Sequence, residues 1–504
     1  MTSSKPLEHL LDRLEAGKRQ FGPGTAAETF ALLRALGRRR FHDAQSLIRF
    51  HEALLFFRAY PANADILRLT EELLDSFSQG IDRFRRDGGD LTPFEEPDVS
   101  GIAGTAFSAI FSYDIARWLV THHGQEIDID WDACDPTLLG PLLARLHPMF
   151  AEDLLVEANI PFREWFQAAK TGAGTDLRWL MERMDRLKIV PEHFDHARIA
   201  LRWELGHSLT TRTKLRVPGK QPVFYHDQPL LRRSDISLQT ELQARPLTLQ
   251  KLKRQDADDM LDLFRETSAM RYRELHGFTY GDPAHMIHTD LGRGVEVFVA
   301  GVPPEHRLPL RAYHAGMFFK NRVPIGYIEC LTFFERIEVG FNLYYTFREG
   351  ETAWLYARLL RLFRQLLGVS SFAVDPYQLG FHNQEAIDSG AFWFYRKLGF
   401  RPANSRVVRL LETEEAKLLA NPTYRTPART LERLSVGWML YELPGTPQAG
   451  WDRFEIRRLA MALRKAPFPA QIERAKRGSD ESEYVRLLQR DSQLRRRLIK
   501  LGSK

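Results

Sequence analysis

The sequence predicts an α+β protein with a large all-α N-terminal domain, a mixed-sheet domain and a helical C-terminal extension. Three observations carry that expectation. From the start to about residue 212, apolar residues recur mostly at helical spacing. Between 295 and 347, four β-rich runs follow one another, separated by Gly, Pro, Asn or charged breaks. Over the last ninety or so residues the helical pattern returns and the chain finishes basic. The expected division is a helical domain over 1–212, a linker or arm over 213–245, the sheet-bearing domain over 246–412 and a helical basic extension over 413–504. A chain of 504 residues is too long for one ordinary core, so two to four units follow from roughly 100 to 200 residues per domain.

Taken in order, "DAQSLIRFHEALLFFRAYP" puts Leu47, Phe50, Leu54 and Phe57 along one side of a helix that Pro61 ends. Breaks at "DGGDLTPFEEPDVSG" and "HHGQEIDIDWDACDP" divide the helical half, and no fixed-period repeat is present. "TKLRVPGKQPVFYHDQP" has no helical period and is assigned to the arm. "RPLTLQKL" reads as a strand and "QDADDMLDLFRETSAMRYREL" as a helix whose acidic first turn suits its dipole. "VEVFVAG", "LRAYHAGMFFKN", "VPIGYIECLTFF" and "RIEVGFNLYYTF" read as an antiparallel meander. A helix follows in "ETAWLYARLLRLFRQLLG", then a strand in "VSSFAVDP", a short helix in "SGAFWFYRKLG" and a last strand in "RVVRLL".

Composition excludes several classes. With 44% hydrophobic and 27% charged residues the chain is globular, and no stretch approaches the roughly twenty apolar residues of a membrane span. The start "MTSSKPLEHLLDRLEAG" has early acids and no apolar run, and the two cysteines, Cys134 and Cys330, form neither a disulfide framework nor a thiolate metal site; a cytoplasmic location is expected. A net charge of +6, mostly interleaved with acids, does not make nucleic acid the default partner. Two local basic excesses, "LGRRRFH" and the tail "QLRRRLIKLGSK", suit either exposed helix ends or a phosphate-rich ligand.

The segment "SGAFWFYRKLGFRP" carries the most specific signal. Ala391, Tyr395, Gly399 and Phe400 fall at the spacing Ala, three residues, Tyr, three residues, Gly-Phe. With the preceding "FAVDP" strand and the meander, residues 246 to 412 resemble the GNAT acyltransferase superfamily. The resemblance implies a GNAT-like mixed sheet and transfer of an acyl group from a thioester donor to an amine acceptor, small-molecule or protein. The donor would be acetyl-CoA or another acyl-CoA, or an acyl carrier protein, whose acidic surface would suit the "GRRRF" helix end. Tyr395 would be the general acid for the departing thiolate, with Phe392, Phe394 and Phe400 in the packing and Trp393 partly exposed. Glu329 or Glu338, each interrupting an apolar strand, would be the base. The donor would lie along the strand end at Leu343 and Tyr345 and against Arg348, Gly350, Thr352, Ala353 and Asp388. Tyr327, His382, Asn383 and Glu385 would face the acceptor.

Two positions depart from the family pattern. Its pyrophosphate loop reads Arg/Gln-x-x-Gly-x-Gly/Ala, but if Arg348 takes the first place, Glu351 occupies the glycine and only Ala353 fits. Glu349 and Glu351 carry the wrong sign for a pyrophosphate. Asp388 stands where the family has Asn, while Asn383 and Ala386 make a displaced Asn-x-x-Ala. A non-catalytic GNAT-like binding or assembly protein is the rival expectation. No metal is expected: "HEALL" at His51 lacks a second His and reads as helix surface, and Glu204 and His207 have Glu-x-x-His spacing without a second copy. "SGIAGTAFS" lacks the Lys of a nucleotide loop and reads as small residues allowing close helix packing.

Overall fold

In the computed structural model the four runs of the meander become four neighbouring strands, because each alternates side chains that pack on helices with breaks that force a turn. The structure describes residues 4–148, 151, 161–206, 209–217, 222–308, 310–446, 477, 480–493 and 495–496. The basic tail beyond residue 496 and His207 lie outside them. The chain divides into two compact units. One comprises Met1–Pro229, Asp259–Thr279 and Asn321–Pro324; the other comprises Leu230–Asp258, Tyr280–Lys320 and Ile325–Lys504.

The first unit is mostly helical but not all-α. Strands β1 (Ala106–Ile110), β2 (Ile127–Ile129) and β3 (Ala200–Glu204) form an antiparallel sheet in the order β1-β3-β2. These runs are only three to five residues long. Phe107, Leu201 and Trp203 bury against Leu119, Leu143 and Leu180 of the surrounding helices, and that tertiary packing overrides the helical reading of "ARIALRWEL". Glu204 therefore ends a strand and does not lie on a helix, the setting its Glu-x-x-His spacing was read in. "SGIAGTAFS" is a loop running into β1, and its Gly104 lies close against the Phe77–Arg86 helix, where an added Cβ would come within 3.2 Å of Ile81.

The Ala44–Ala59 helix, capped by Asp43 on the Ser46 amide at 2.7 Å, is buried on nearly every side. His51 is fully buried, correcting the surface reading. Its Nδ1 lies 3.1 Å from Glu52 and its Nε2 3.0 Å from the Thr213 hydroxyl, while Arg212 donates to both Glu52 oxygens. Desolvation lowers the His51 pKa, so the ring is a neutral member of a structural network.

The second unit is built on a nine-stranded sheet: β4 (Gln250–Lys251), β5 (Ile287–Gly292), β6 (Val295–Ala300), β7 (Ala312–Lys320), β8 (Val323–Phe333), β9 (Arg336–Leu343), β10 (Ser371–Val374), β11 (Arg401–Pro402) and β12 (Met439–Glu442). Their order is β11-β12-β10-β9-β8-β7-β6-β5-β4. The β9–β10 pair is parallel, and β10–β12, β11–β12, β4–β5, β5–β6, β6–β7 and β8–β9 are antiparallel. A parallel neighbour needs a crossover, here the Thr352–Leu367 helix. That helix buries Leu355, Leu359, Leu362, Phe363 and Leu366, as its spacing predicts.

Two expectations fail at the far edge of this sheet. "RVVRLL" is not a strand: Asn404 caps the Arg406 amide at 2.9 Å, and the Ser405–Ala420 helix buries Val407, Leu411 and Glu414 on one face. The strand that completes the sheet is β12, which lies in the expected helical extension and inserts between β10 and β11. The Glu481–Arg490 helix belongs to the same unit: the Tyr484 hydroxyl donates to the Leu310 carbonyl at 3.2 Å and Gln489 to those of Phe334 and Leu367 at 2.9 and 3.0 Å.

Candidate functional site

Parallel pairing of β9 with β10 covers Arg336 to Glu338 against Ser371 to Ala373 and then stops. Among the described residues β9 continues to Leu343 paired with β8 and, beyond Glu338, with no strand on its other edge, so β9 and β10 part. The candidate site is this parting.

Alternation decides what faces it. Glu329 pairs with Gly340 and Leu331 with Glu338, which places Tyr327, Glu329, Glu338 and Gly340 on one face of the sheet, with Cys330, Val339 and Phe341 on the other. Tyr356, from the Thr352–Leu367 helix, packs on Phe341 at 5.2 Å between ring centroids. The Tyr395 ring stands edge-on to Tyr356 at 5.5 Å. Its hydroxyl donates to Gln378 Oε1 at 3.3 Å, and the Gln378 amide nitrogen lies only 2.9 Å from where a Cβ on Gly340 would project. Tyr395 thus spans the parting, its ring on the Tyr356 side and its hydroxyl directed to a group over the Gly340 side. Burial pushes its pKa up, and the phenol stays protonated at neutral pH.

The aromatics of "AFWFY" divide along the short Ala391–Lys397 helix. Phe392, Tyr395 and the following Phe400 are buried, whereas Trp393 and Phe394 are half-buried, the indole donating to the Thr426 hydroxyl at 3.2 Å. Tyr356 was not singled out by any motif; its hydroxyl is buried and makes no hydrogen bond among the described residues.

The two carboxylates differ. Glu338 is held by Arg311 at 2.8 Å and Arg336 at 3.3 Å. Glu329 accepts from the Tyr313 hydroxyl. Tyr313 and Arg311 carry no sequence signal; the β7 pleat brings them in.

The expected donor loop has its own geometry. Tyr345 is exposed and Leu343 buried, with the Leu343 carbonyl taking a long 3.4 Å contact from Arg348. The amides of Arg348, Gly350 and Thr352 donate to the carbonyls of Tyr345, Phe347 and Gly350. Three amides are therefore spent inside the turn. Ala353 is buried. Glu351 is 3% exposed and turns inward, where Arg293 binds it at 2.6 and 2.9 Å and the Leu231 amide at 3.0 Å. Its charge does not face a ligand.

Of the expected acceptor contacts, Asn383 caps the Gln384–Asp388 helix, accepting from the Ala386 amide at 3.2 Å. His382 is exposed with a left-handed backbone (φ 55°) and stacks on Phe381. Glu385 pairs with Arg348, tying the segment after β10 to the segment after β9. Asp388 is exposed and accepts from Gln384 at 2.7 Å.

Among the described residues no cluster of three or more His, Cys, Asp or Glu could hold a metal ion, and no helix is long and apolar enough to cross a membrane. In comparisons with known proteins, no family model, no curated protein and no solved structure matches the chain.

Proposed function

We propose that the sheet-bearing unit is a GNAT-like N-acyltransferase. The observation that carries this reading is the Tyr395 hydroxyl set in the parting of a single parallel strand pair, opposite a free strand edge. In the proposed reaction the donor's amide-rich arm pairs with the unpartnered edge of Val339–Leu343. The acceptor amine, whose pKa in water is near ~10, loses a proton towards Glu329. Its nitrogen attacks the thioester carbon, the C–N bond forms, the C–S bond breaks, the departing sulfur takes the Tyr395 hydroxyl proton and leaves as the thiol, and the second proton shed by the nitrogen as the amide forms returns to the Tyr395 oxygen. A phenol kept protonated by burial is in the form this step requires. Glu338, fixed between two arginines, positions charge and does not serve as the base.

A second reading has its own observation. The used amides after β9 and the inward Glu351 leave a poor cradle for a pyrophosphate, which favours an acyl carrier protein as donor, or a binding and assembly role without catalysis.

Thiol release from acetyl-CoA, a long-chain acyl-CoA and an acylated carrier protein, each with a panel of amines, tests both readings. Activity with any donor should fall by about 10²- to 10⁴-fold in Tyr395→Phe with the fold retained. Activity unchanged in that variant removes Tyr395 from the chemistry. No thiol release and no heat of binding with any donor leaves the binding role.

A further inference from the structure

A second hollow lies within the first unit, where the "LGRRRFH" run left over from the sequence reading turns out to form a wall. It is a cavity of about 420 Å³, within the range of roughly 300 to 1,000 Å³ typical of small-ligand sites. Its rim is basic. Arg38, Arg39 and Arg40 come from the connection after the Pro23–Gly37 helix, and Arg83 and Arg86 from the last turn of the Phe77–Arg86 helix, against one lining carboxylate, Asp87. Arg40 grips Asp87 with two nitrogens and is spoken for. Among the described residues Arg38, Arg39, Arg83 and Arg86 have no carboxylate partner; Arg83 and Arg86 make only long contacts, 3.4 and 3.3 Å, to carbonyls of their own helix. Two helix C-termini amount to about half a negative charge each, too little to account for four unpaired guanidinium groups.

The floor is apolar. Phe41, half-buried, stacks on Phe50 at 5.4 Å, and the buried Leu47, Phe77 and Phe84 complete the surface beneath it. One lining residue is unexpected for its place. Gly80 sits inside the Phe77–Arg86 helix, where glycine weakens the helix, and a Cβ there would meet nothing within 4 Å. Packing does not require the glycine; its effect is to leave the hollow open.

We propose that this hollow binds a small phosphomonoester with an aromatic or apolar body. The guanidinium forks supply the planar, two-pronged donors that match phosphate oxygens, the excess of positive charge around a concave site focuses potential on an anion, and the phenylalanine floor takes the body. The site lies outside the parting of β9 and β10 and does not depend on the acyltransferase reading.

Calorimetric titration of the full chain at about 0.15 M salt, with phenyl phosphate and with inorganic phosphate, tests it. Phenyl phosphate should bind at least about tenfold more tightly than inorganic phosphate. Arg39→Ala and Arg83→Ala should each weaken it by about tenfold or more, and Gly80→Leu, which fills open space in a helix and so keeps the fold, should abolish it. Equal affinity for the two probes, no binding of phenyl phosphate, or wild-type binding in Gly80→Leu overturns the proposal. So does an acidic protein that binds the chain regardless of Gly80→Leu while phenyl phosphate gives no heat, because that describes a flat electrostatic surface and not a pocket.

Discussion

Around the parting of β9 and β10, four carboxylates have partners: Glu329 the Tyr313 hydroxyl, Glu338 two arginines, Glu351 Arg293 and Glu385 Arg348. In the hollow between Gly37 and Asp87, four of five arginines have no carboxylate partner among the described residues. The first region resembles a site whose dipoles are already oriented, so that little reorganisation is left for a reacting group to cause. The second is charged and incomplete, the condition in which an added anion gains most. Satisfied charge points to positioning, and unsatisfied charge points to a ligand.

The sharpest way to break this contrast is to unpair a charge in the first region. Arg293→Met leaves the buried Glu351 carboxylate with the Leu231 amide and Lys320 but without its arginine, and should destabilise the sheet-bearing unit by about 3 kcal/mol, towards the lower end of the 3 to 5 kcal/mol for a broken buried pair. Urea unfolding should show a lower midpoint at unchanged slope, and Arg293→Met with Glu351→Leu should recover most of the loss. If the single variant unfolds like the wild type, the pairing carries no weight.

A smaller effect sharpens the same point through pH. Burial pulls the Lys320 pKa down to about 7, opposed by Glu351. Between that value and the unfolded value near ~10.4, the unfolded chain binds more protons than the folded one, so this lysine makes stability rise with pH, by at most about 1.4 kcal/mol per unit. Lys320→Met should therefore compare best with the wild type near pH 6 and worst near pH 9. Parallel stability curves for the two would show that Lys320 is an ordinary solvated cation.

The smallest effect is expected at the exposed Arg348–Glu385 pair. Glu385→Gln should change stability by less than about 1 kcal/mol, and thermal unfolding of the two proteins should nearly superimpose. A larger loss would mean that this contact holds the segments after β9 and β10 together.

Sequence patterning made the meander legible because "VEVFVAG" through "RIEVGFNLYYTF" are β-rich runs set apart by Gly, Pro, Asn or charged breaks. Tyr395 was legible from its spacing to Gly399 and Phe400. Gln378, Tyr356, Arg311 and Tyr313 were not, since each acquires its place from a crossover or a neighbouring strand and none has a local signature. β3 was missed because a five-residue run, "ALRWE", is too short to declare a period, and "RVVRLL" was misread because its β-branched pair outweighed the Asn404 cap. β12 is four residues in a helical setting, recognisable only from the partners it finds.

That last strand orders events in time. β10 pairs with β9 on one side and with β12 on the other, and β12 is made some 65 residues after β10, going by their positions at 371–374 and 439–442. While a ribosome is still adding those residues, β10 is a bare edge, the kind of surface that recruits strands from other chains. A chain stopped before Met439 would keep Tyr395 and its spacing intact in sequence, yet carry that edge open for its whole lifetime. The late strand is thus also a seal against mispairing between nascent copies.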